Sequence, residues 1–288
     1  MEVGEKGLIY LYCVAGKVPK LKEVENLVDS LYFVYHRGLY AIISKVKERE
    51  FSEENLKKNL ADLEWIKAKA SIHEKIIEGV MTKSSVIPFK FATLFNTMDN
   101  LKIMLDEHAE KLSTNLKNLA DKEEWGVKIY CDIEKLKENF IREDKEILNI
   151  DKEINGSTTL TIDPERSRRA NSVGPGKAYL LKKKKEELIK DKINNRINKY
   201  SQDSFQILKK LCVDVRINRL LPKEVSERKE DMILNSAFLV DKSNVAKFAK
   251  VINILKKQYE QQGLNFDCTG PWPPYNFCGL LKEKIHNG

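Results

Sequence analysis

The chain has 288 residues, enough for two domains of ordinary size, and 42% of them are hydrophobic, enough to bury real cores. Charged residues make up 33% with a formal net charge of +8, a balance that permits an acidic partner such as RNA without requiring one. The apolar runs fall short of the roughly 18 residues that a membrane-spanning helix needs, and we expect no signal peptide in the acidic, strand-like start.

The five cysteines predict neither a disulfide framework nor a zinc site. Their number is odd, no two of them have CxxC spacing, and most lie in or beside apolar, strand-like runs. We interpret them as small buried hydrophobic residues of a protein in a reducing cytoplasm.

The first half of the chain alternates apolar runs typical of strands with runs of helical periodicity. In chain order the predicted elements are a strand over Gly7–Ala15, a short helix over 20–30, strands over Leu31–His36 and 39–46, a long helix from Ser52 to about residue 80, a strand over 85–91 and a helix over 96–120. Arg37-Gly38 has the spacing of a tight hairpin. Pro88 places its strand at a sheet edge or a bulge.

The second half repeats this pattern around a helical insertion at about 133–210. Strands are predicted over 124–131, 213–221, 233–240 and 264–268, and helices over 133–150, 176–210 and 244–262. Without the insertion, each half reads β-α-β-β-α-β. The sequence therefore predicts an α+β protein of two ferredoxin-like domains, residues 1–121 and 122–288, each with an antiparallel sheet and helices.

The insertion combines a polar segment with a basic helix. Residues 154–175 carry few large apolar groups, so we expect a flexible loop there. The helix that follows has nine basic and three acidic groups between residues 177 and 199, a net charge of +6. Its run of Lys182, Lys183, Lys184 and Lys185 is a candidate surface for steering an acidic partner. Such a run is also typical of a solvated helix face.

Residues 270–277, GPWPPYNF, form a segment that we call the strap. Its three prolines exclude a helix and restrict the preceding residues to extended shapes. The strap is therefore a stiff ribbon that holds Trp272 and Tyr275 in a fixed relation. Because it directly follows the last predicted strand, we favour packing across other structure, toward the first domain. The alternative is a recognition surface in which these two aromatic side chains are the anchors.

Neither of two motif-like segments predicts catalysis or cofactor binding. His73-Glu74 begins like HExxH, but Ile77 stands where the second metal-binding histidine is needed. We interpret His73, on the apolar side of its helix, as a buried structural histidine. Gly174-Pro175-Gly176-Lys177 resembles a phosphate loop, but an alanine follows the lysine and no predicted strand precedes it.

A ferredoxin-like pattern with a positive net charge is also typical of RNA-recognition domains. In such domains the third strand carries aromatic side chains on which bases stack. Here Arg37-Gly38 precedes the third strand, but Leu39, Ala41 and Ser44 occupy the aromatic positions. An RNA- or small-ligand-binding module stays as the alternative function, with nucleic acid an unfavoured partner.

Four blocks of the sequence together resemble one family. They are WIKAKASIHEKIIEGVMTKSSVIPFKFATLF from Trp65, EWGVKIY from Glu124, PGKAYLL from Pro175 and GPWPPYNF from Gly270. Their residues, order and spacing are similar to those of the gas vesicle proteins of the F and L type, GvpF/GvpL. Two departures are Ala92, where the family usually has glycine, and Asn276, where serine is common. Both look like substitutions within one fold.

The resemblance implies an accessory protein of gas vesicle formation in the prokaryotic cytoplasm. Gas vesicles are hollow, protein-walled buoyancy organelles. The family resemblance implies a non-enzymatic assembly or nucleation factor, without a cofactor, that contacts the small hydrophobic shell protein and other gas vesicle proteins. From the residues themselves, the candidate partner-binding side chains are Trp272 and Tyr275 of the strap and the lysine run 182–185 of the basic helix.

Overall fold

The computed structural model describes residues 7–155 and 175–279, and its first sheet has five strands. They are β1 (Gly7–Ala15), β2 (Leu31–His36), β3 (Leu39–Lys47), β4 (Val86–Pro88) and β5 (Leu94–Phe95). The order is β2-β3-β1-β4, with β5 also paired to β1, and all pairs are antiparallel.

Helices cover both faces of this first sheet. They are α1 (Glu48–Phe51), α2 (Glu53–Asn59), α3 (Leu63–Met81) and α4 (Met98–Leu119). Because side chains alternate along a strand, Tyr10 and Tyr12 of β1 pack with α1 and α3, whereas Ile9 and Leu11 pack with α4. Burial on both faces explains why β1 is apolar throughout.

The second sheet has the strand order of the first. It contains β6 (Lys122–Cys131), β7 (Asp214–Ile217), β8 (Asp231–Asp241) and β9 (Leu264–Trp272) in the order β7-β8-β6-β9, again all antiparallel. Its helices are α5 (Ile133–Glu143), α6 (Lys145–Asn155), α7 (Pro175–Lys209), α8 (Lys223–Ser226) and α9 (Val245–Tyr259). Apolar residues of α5, α6, α7 and α9 pack on one face, against Val127, Ile129 and Phe238.

The predicted α+β class with two antiparallel sheets is confirmed. β6 opens the second sheet at Lys122, and we therefore propose residues 1–121 and 122–288 as the two domains. The insertion between β6 and β7 contains α5, α6 and α7. The loop predicted at 154–175 lies almost wholly outside the described residues. Within the described part of the chain, no helix is both long and apolar enough to cross a bilayer.

The helix predicted over 20–30 is wrong: the segment contains a single 3-10 turn, Glu25–Leu27. Its apolar side chains are nevertheless buried or half-buried in the cluster that contains α3, with Val24 fully covered. Burial is therefore satisfied without helical hydrogen bonds, and a helix of this length has little stability of its own.

The long helix predicted from Ser52 to about residue 80 is divided into two by capping side chains. Ser52 Oγ accepts a hydrogen bond from Asn55 N at 3.4 Å and starts α2. Asp62 then accepts from the backbone N–H groups of Glu64 and Trp65 and starts α3. Such short polar side chains compete with helical backbone bonds, which is why the apolar stripe continues while the helix does not.

Other boundaries also differ from the sequence predictions. The strand over 85–91 is reduced to β4, because Pro88 has no N–H to extend the ladder, and the short β5 was not predicted. The helix over 133–150 is divided at Asp144, whose side chain accepts from Glu146 N and Ile147 N and so caps α6. β7 is shorter than its predicted 213–221, and β9 runs on to Trp272 beyond its predicted end at 268.

Gly79 of α3 is required by its contact with the 3-10 segment. A Cβ on Gly79 would overlap Val24 Cγ1, so we expect Gly79→Ala to destabilise the protein by about 1–3 kcal/mol despite the better helix propensity of alanine. Chemical denaturation measures this. Gly176→Ala in α7 is the matched control, since a Cβ there meets no heavy atom within 4 Å. Adding Val24→Ala to Gly79→Ala should recover part of the loss; an unchanged midpoint in Gly79→Ala would contradict the contact.

Candidate functional site

The strap begins inside the last strand of the second sheet. Gly270 has a φ of 138°, and a Cβ there would lie 2.9 Å from the Glu124 carbonyl oxygen, so the backbone position demands glycine. Two prolines follow Trp272, and both are buried. The N–H groups of Tyr275 and Phe277 then donate to the carbonyls of these prolines at 2.7 and 3.1 Å. The strap thus leaves the second sheet in a compact turn.

Tyr275 joins the strap to α3 of the first domain. Its hydroxyl donates to Glu74 Oε1 at 2.8 Å and lies 3.3 Å from His73 Nε2. Burial, together with the nearby charge of Glu74, raises the pKa of the Tyr275 hydroxyl well above its usual value. Tyr275 is therefore a protonated hydrogen-bond donor that ties the C-terminal segment to the first domain, in the direction that the sequence suggested.

His73 is a buried structural histidine, as the sequence indicated. Its side chain is 1% exposed, with Nε2 at 3.1 Å from the Phe89 carbonyl oxygen and Nδ1 at 3.0 Å from the Tyr10 hydroxyl. A carbonyl can only accept, so Nε2 carries the proton and Nδ1 accepts from Tyr10. Burial lowers the pKa of His73 to about 4, so the ring is neutral. The Tyr10 hydroxyl in turn accepts from Ala92 N at 2.9 Å.

Glu124 is the second anchor of the strap. It lies on β6 with only 4% of its surface exposed, and its carboxylate accepts from both Asn276 N at 3.1 Å and Asn276 Nδ2 at 2.6 Å. Burial raises the pKa of Glu124 to about 7, although the two Asn276 donors oppose this. A single strap residue therefore satisfies both oxygens of a buried carboxyl group.

The two domains share an apolar core next to these anchors. Leu239 of β8 and Cys278 are buried in the same cluster as the leucines of α4, and Phe277 packs against that cluster. The guanidinium of Arg216 lies over the Phe277 ring at 5.4 Å from its centroid. We call the strap, with the side chains of Glu74, Glu124 and Leu239 that hold it, the seam.

Comparison with known proteins identifies the family. The family model described as gas vesicle synthesis protein GvpL/GvpF matches residues 8–279. The chain belongs to the GvpL/GvpF family. This membership implies a role in gas vesicle formation.

Two curated relatives cover most of the chain. Gas vesicle protein L of Streptomyces sp. is 23% identical over 251 residues, which are 87% of this chain and 84% of that protein. Gas vesicle protein L1 of Halobacterium salinarum is 21% identical over 277 residues, which are 93% of this chain and 89% of that protein.

Two crystal structures have a similar fold. GvpF from Anabaena sp. superposes with a TM-score of 0.65 at 18% identity, over 95% of this chain and 98% of that chain. GvpF from Microcystis aeruginosa superposes with a TM-score of 0.61 at 17% identity, over 96% of this chain and 100% of that chain. The two-sheet α+β fold is thus similar to that of these two GvpF proteins.

Three of the four sequence blocks that resemble GvpL/GvpF meet at the seam. The first block supplies Glu74, the second supplies Glu124, and the fourth supplies Tyr275 and Asn276. The blocks lie far apart in sequence, and hydrogen bonds between their side chains join them. Their shared location gives the blocks a common physical role in holding the strap.

Trp272 differs from Tyr275 in exposure. Its side chain is 42% exposed, and its indole Nε1 donates to Thr269 Oγ1 at 3.0 Å, which fixes the ring on β9. With its neighbours Pro271 and Pro274 it lines a cleft of about 380 Å³. The lysines of that cleft are Lys17, Lys83, Lys122 and Lys242. The cleft also contains the carboxyl groups of Asp121, Glu123 and Glu124, so Trp272 is an exposed and oriented aromatic side chain in a cleft of mixed charge.

The lysine run of α7 does not form one uniform surface. Lys182, Lys183 and Lys184 are exposed, whereas Lys185 forms an ion pair with Asp151 of α6. Lys192 of the same helix is paired in a similar way, at 2.9 Å from Asp144 and 2.7 Å from Glu146. Carboxylates of the neighbouring helix thus neutralise part of the predicted positive charge. No described contact joins this run to the strap.

Sequence reasoning missed Glu74 and Glu124 as partners of the strap, and Asn276 as the strap residue that binds Glu124. Strand alternation could have placed Glu124 on one face with Gly126 and Lys128, a polar face unlike that of Val127. It could not show that the distant residue Asn276 binds both oxygens of Glu124. In residues 7–155 and 175–279, no group of three or more His, Cys, Asp or Glu side chains is placed to hold a metal ion.

The first sheet offers no open central surface for stacked bases. Both faces of β1 and β3 are covered, and Ala41, Ile42 and Ile43 of β3 are all buried. Exposed aromatic side chains do occur on the edge strand β2, at Phe33 and Tyr35, where they contact Tyr40. The sequence analysis had not identified this aromatic edge.

We expect Tyr275→Phe to lower the free energy of unfolding by about 1–3 kcal/mol, because the half-buried carboxyl group of Glu74 loses the hydrogen bond that the Tyr275 hydroxyl donates. Denaturant unfolding of the full chain measures the change. Tyr179→Phe on α7 is the matched control, since that tyrosine is exposed and should lose little. Equal losses in the two variants would show that Tyr275 is no anchor.

Ala92 has a φ of 60°, in the left-handed region that favours glycine. The glycine that the family resemblance leads us to expect at this position would avoid this strain. We expect Ala92→Gly to stabilise the protein by roughly 0.5–1 kcal/mol, because relief of backbone strain exceeds the added freedom of the unfolded chain. Ala68→Gly, at an exposed position of α3, should destabilise by about 1 kcal/mol instead. Thermal unfolding of both variants tests the sign; destabilisation by Ala92→Gly would contradict the strain.

Proposed function

We propose that the protein is a non-enzymatic assembly or nucleation factor that binds the hydrophobic gas vesicle shell protein in the cytoplasm. Membership of the GvpL/GvpF family supports a role in gas vesicle formation. A shell protein that lines a gas space must expose a strongly apolar surface, which aggregates in water unless a partner covers it or adds it to a growing wall.

The observation that carries this proposal is the exposure of Trp272 on a rigid support. Tryptophan is enriched among the residues that dominate binding energy, because one rigid ring covers a large area at little entropic cost. Trp272 is held by Thr269 and lies beside Pro271, so it is oriented before any partner arrives. An apolar strip of the shell protein is the occupant that we assign to the ring.

In this proposal the charged side chains near Trp272 help to orient the partner. The lysines of the Trp272 cleft would pair with acidic side chains at the margin of the apolar strip, which favours one docking direction. The exposed Lys182, Lys183 and Lys184 of α7 would act at longer range, by steering an acidic surface of the shell protein or of another gas vesicle protein.

Tyr275 has a different role in this proposal from the one that its sequence suggested. The Tyr275 hydroxyl donates to Glu74, and the ring is half-buried against the apolar cluster that contains α3. Both the hydroxyl and the ring are therefore already engaged within the chain. We assign Tyr275 to supporting the strap and Trp272 to contacting the partner.

The test is capture of the shell protein after co-expression with the full chain. We expect Trp272→Ala to weaken capture by roughly 30-fold, the equivalent of ~2 kcal/mol for one aromatic anchor. Ile254→Ala is the matched control, because Ile254 is an exposed apolar residue of α9 and should leave capture unchanged. Lys182→Ala, Lys183→Ala and Lys184→Ala together should weaken capture at low salt only.

Each outcome separates the surface from the fold. If Trp272→Ala loses capture but unfolds like the wild-type protein, the result supports the assignment of the Trp272 ring to shell-protein binding. Full capture by a correctly folded Trp272→Ala protein would overturn the assignment of the site. Failure of the wild-type chain to capture the shell protein would overturn the proposed partner while leaving family membership intact.

A further inference from the structure

We propose that Glu124 is a proton-controlled latch of the strap. In this proposal the strap is held closed more firmly when the Glu124 carboxyl group carries a proton, and it opens more often when the group is ionised. Because the strap connects the two domains, their junction would respond to pH. The inference concerns this junction and is independent of shell-protein binding.

The geometry places Glu124 at the point where the second domain holds the strap. Its two oxygens bind only one strap residue, Asn276, through the backbone N–H and the side-chain amide. The residues on either side of Asn276 reach the first domain, since Tyr275 binds Glu74 and Phe277 packs on the α4 cluster. Opening at Asn276 would therefore admit water to Glu124 and loosen both anchors.

The surroundings of Glu124 supply no direct counter-charge. The two clefts beside it contain the carboxyl groups of Glu74, Asp121 and Glu123. They also contain five lysines, namely Lys17, Lys83, Lys122, Lys128 and Lys242. Within the described residues, none of these lysines lies within ion-pairing distance of the Glu124 carboxylate. The strap adds Tyr275, and the next residue after the strap is Cys278. Burial and the nearby Glu124 charge both raise the pKa of the Cys278 thiol.

The sign of the effect follows from this burial. The pKa of Glu124 is raised from 4.5 to about 7 in the closed structure, whereas water would return it toward 4.5 in the open one. The closed state thus binds the proton more tightly. The resulting stabilisation is present below about pH 4.5 and is lost as the pH rises through about 7.

The titration of His73 changes stability with pH in the opposite direction, over a pH range that overlaps that of Glu124. The pKa of His73 is lowered to about 4, so any state that exposes its side chain gains stability as the pH falls below about 6.5. The global unfolding free energy mixes these two contributions, which partly cancel. The latch must therefore be measured at the strap itself.

Amide hydrogen exchange of strap peptides, corrected for the intrinsic rate at each pH, reports opening directly. For the full chain we expect the opening constant to rise roughly 20-fold between about pH 5.5 and 7.5, as calculated from the two Glu124 pKa values. Glu124→Gln should remove this dependence. Glu187→Gln, at an exposed position of α7, should retain it and is the matched control.

A carboxyl titration by NMR gives a second, independent readout. In protein labelled with carbon-13 glutamate, one side-chain carboxyl signal should titrate near pH 7 and be missing from Glu124→Gln. Asn276→Ser, which keeps the backbone donor but loses the amide bond, should move that titration to higher pH. This variant keeps the proposal testable if Glu124→Gln fails to fold.

Three outcomes would overturn the latch. One is strap exchange that is independent of pH in the wild-type chain. Another is retention of the same pH dependence of strap exchange in folded Glu124→Gln. Loss of that dependence in Glu74→Gln alone counts with this outcome, because either result would assign the pH dependence to a group other than Glu124. The third is the absence of any glutamate carboxyl signal that titrates above about pH 5.5.

Discussion

The attachment of the strap at the junction of the two domains, through Glu74 and Glu124, is the constraint on which the rest of the site depends. Two sheets of identical strand order have separate helical layers, and the chain must still join them into one molecule. Flexible residues could not bridge them without a large loss of conformational entropy. Prolines at 271, 273 and 274 reduce that loss, because much of their freedom is already absent from the unfolded chain.

The hydrogen bonds around the strap also explain why unusual residues are tolerated. Ala92 occupies a backbone region that favours glycine, and its N–H donates to Tyr10, which in turn binds His73. The same histidine fixes the Phe89 carbonyl just after β4. A cost in backbone strain at one residue is thus offset by a network that a buried neutral histidine completes.

Local patterns predicted the strands well because β1, β2 and β3 have apolar runs bounded by turn residues. They predicted that the strap leaves the second sheet at Gly270, but β9 continues to Trp272, and the strap leaves the sheet only after that residue. The breaks at Asp62 and Asp144 were missed because a capping carboxylate overrides an apolar stripe that continues beyond it. The anchoring role of Glu124 was beyond any local pattern, because its burial depends on residues about 150 positions later in the chain.

The division of work between Trp272 and Tyr275 follows from this arrangement. Both belong to one proline-rich segment, but the ring of Trp272 is exposed, whereas the Tyr275 hydroxyl donates to Glu74. A substitution at Tyr275 would therefore disturb the position of Trp272 as well, so loss of binding in such a variant could not identify a contact. Trp272 alone can be removed while every described anchor of the strap, at Glu74, Glu124 and Leu239, stays in place. Because the binding surface is separable from its support in this way, a single side chain can test where the partner binds.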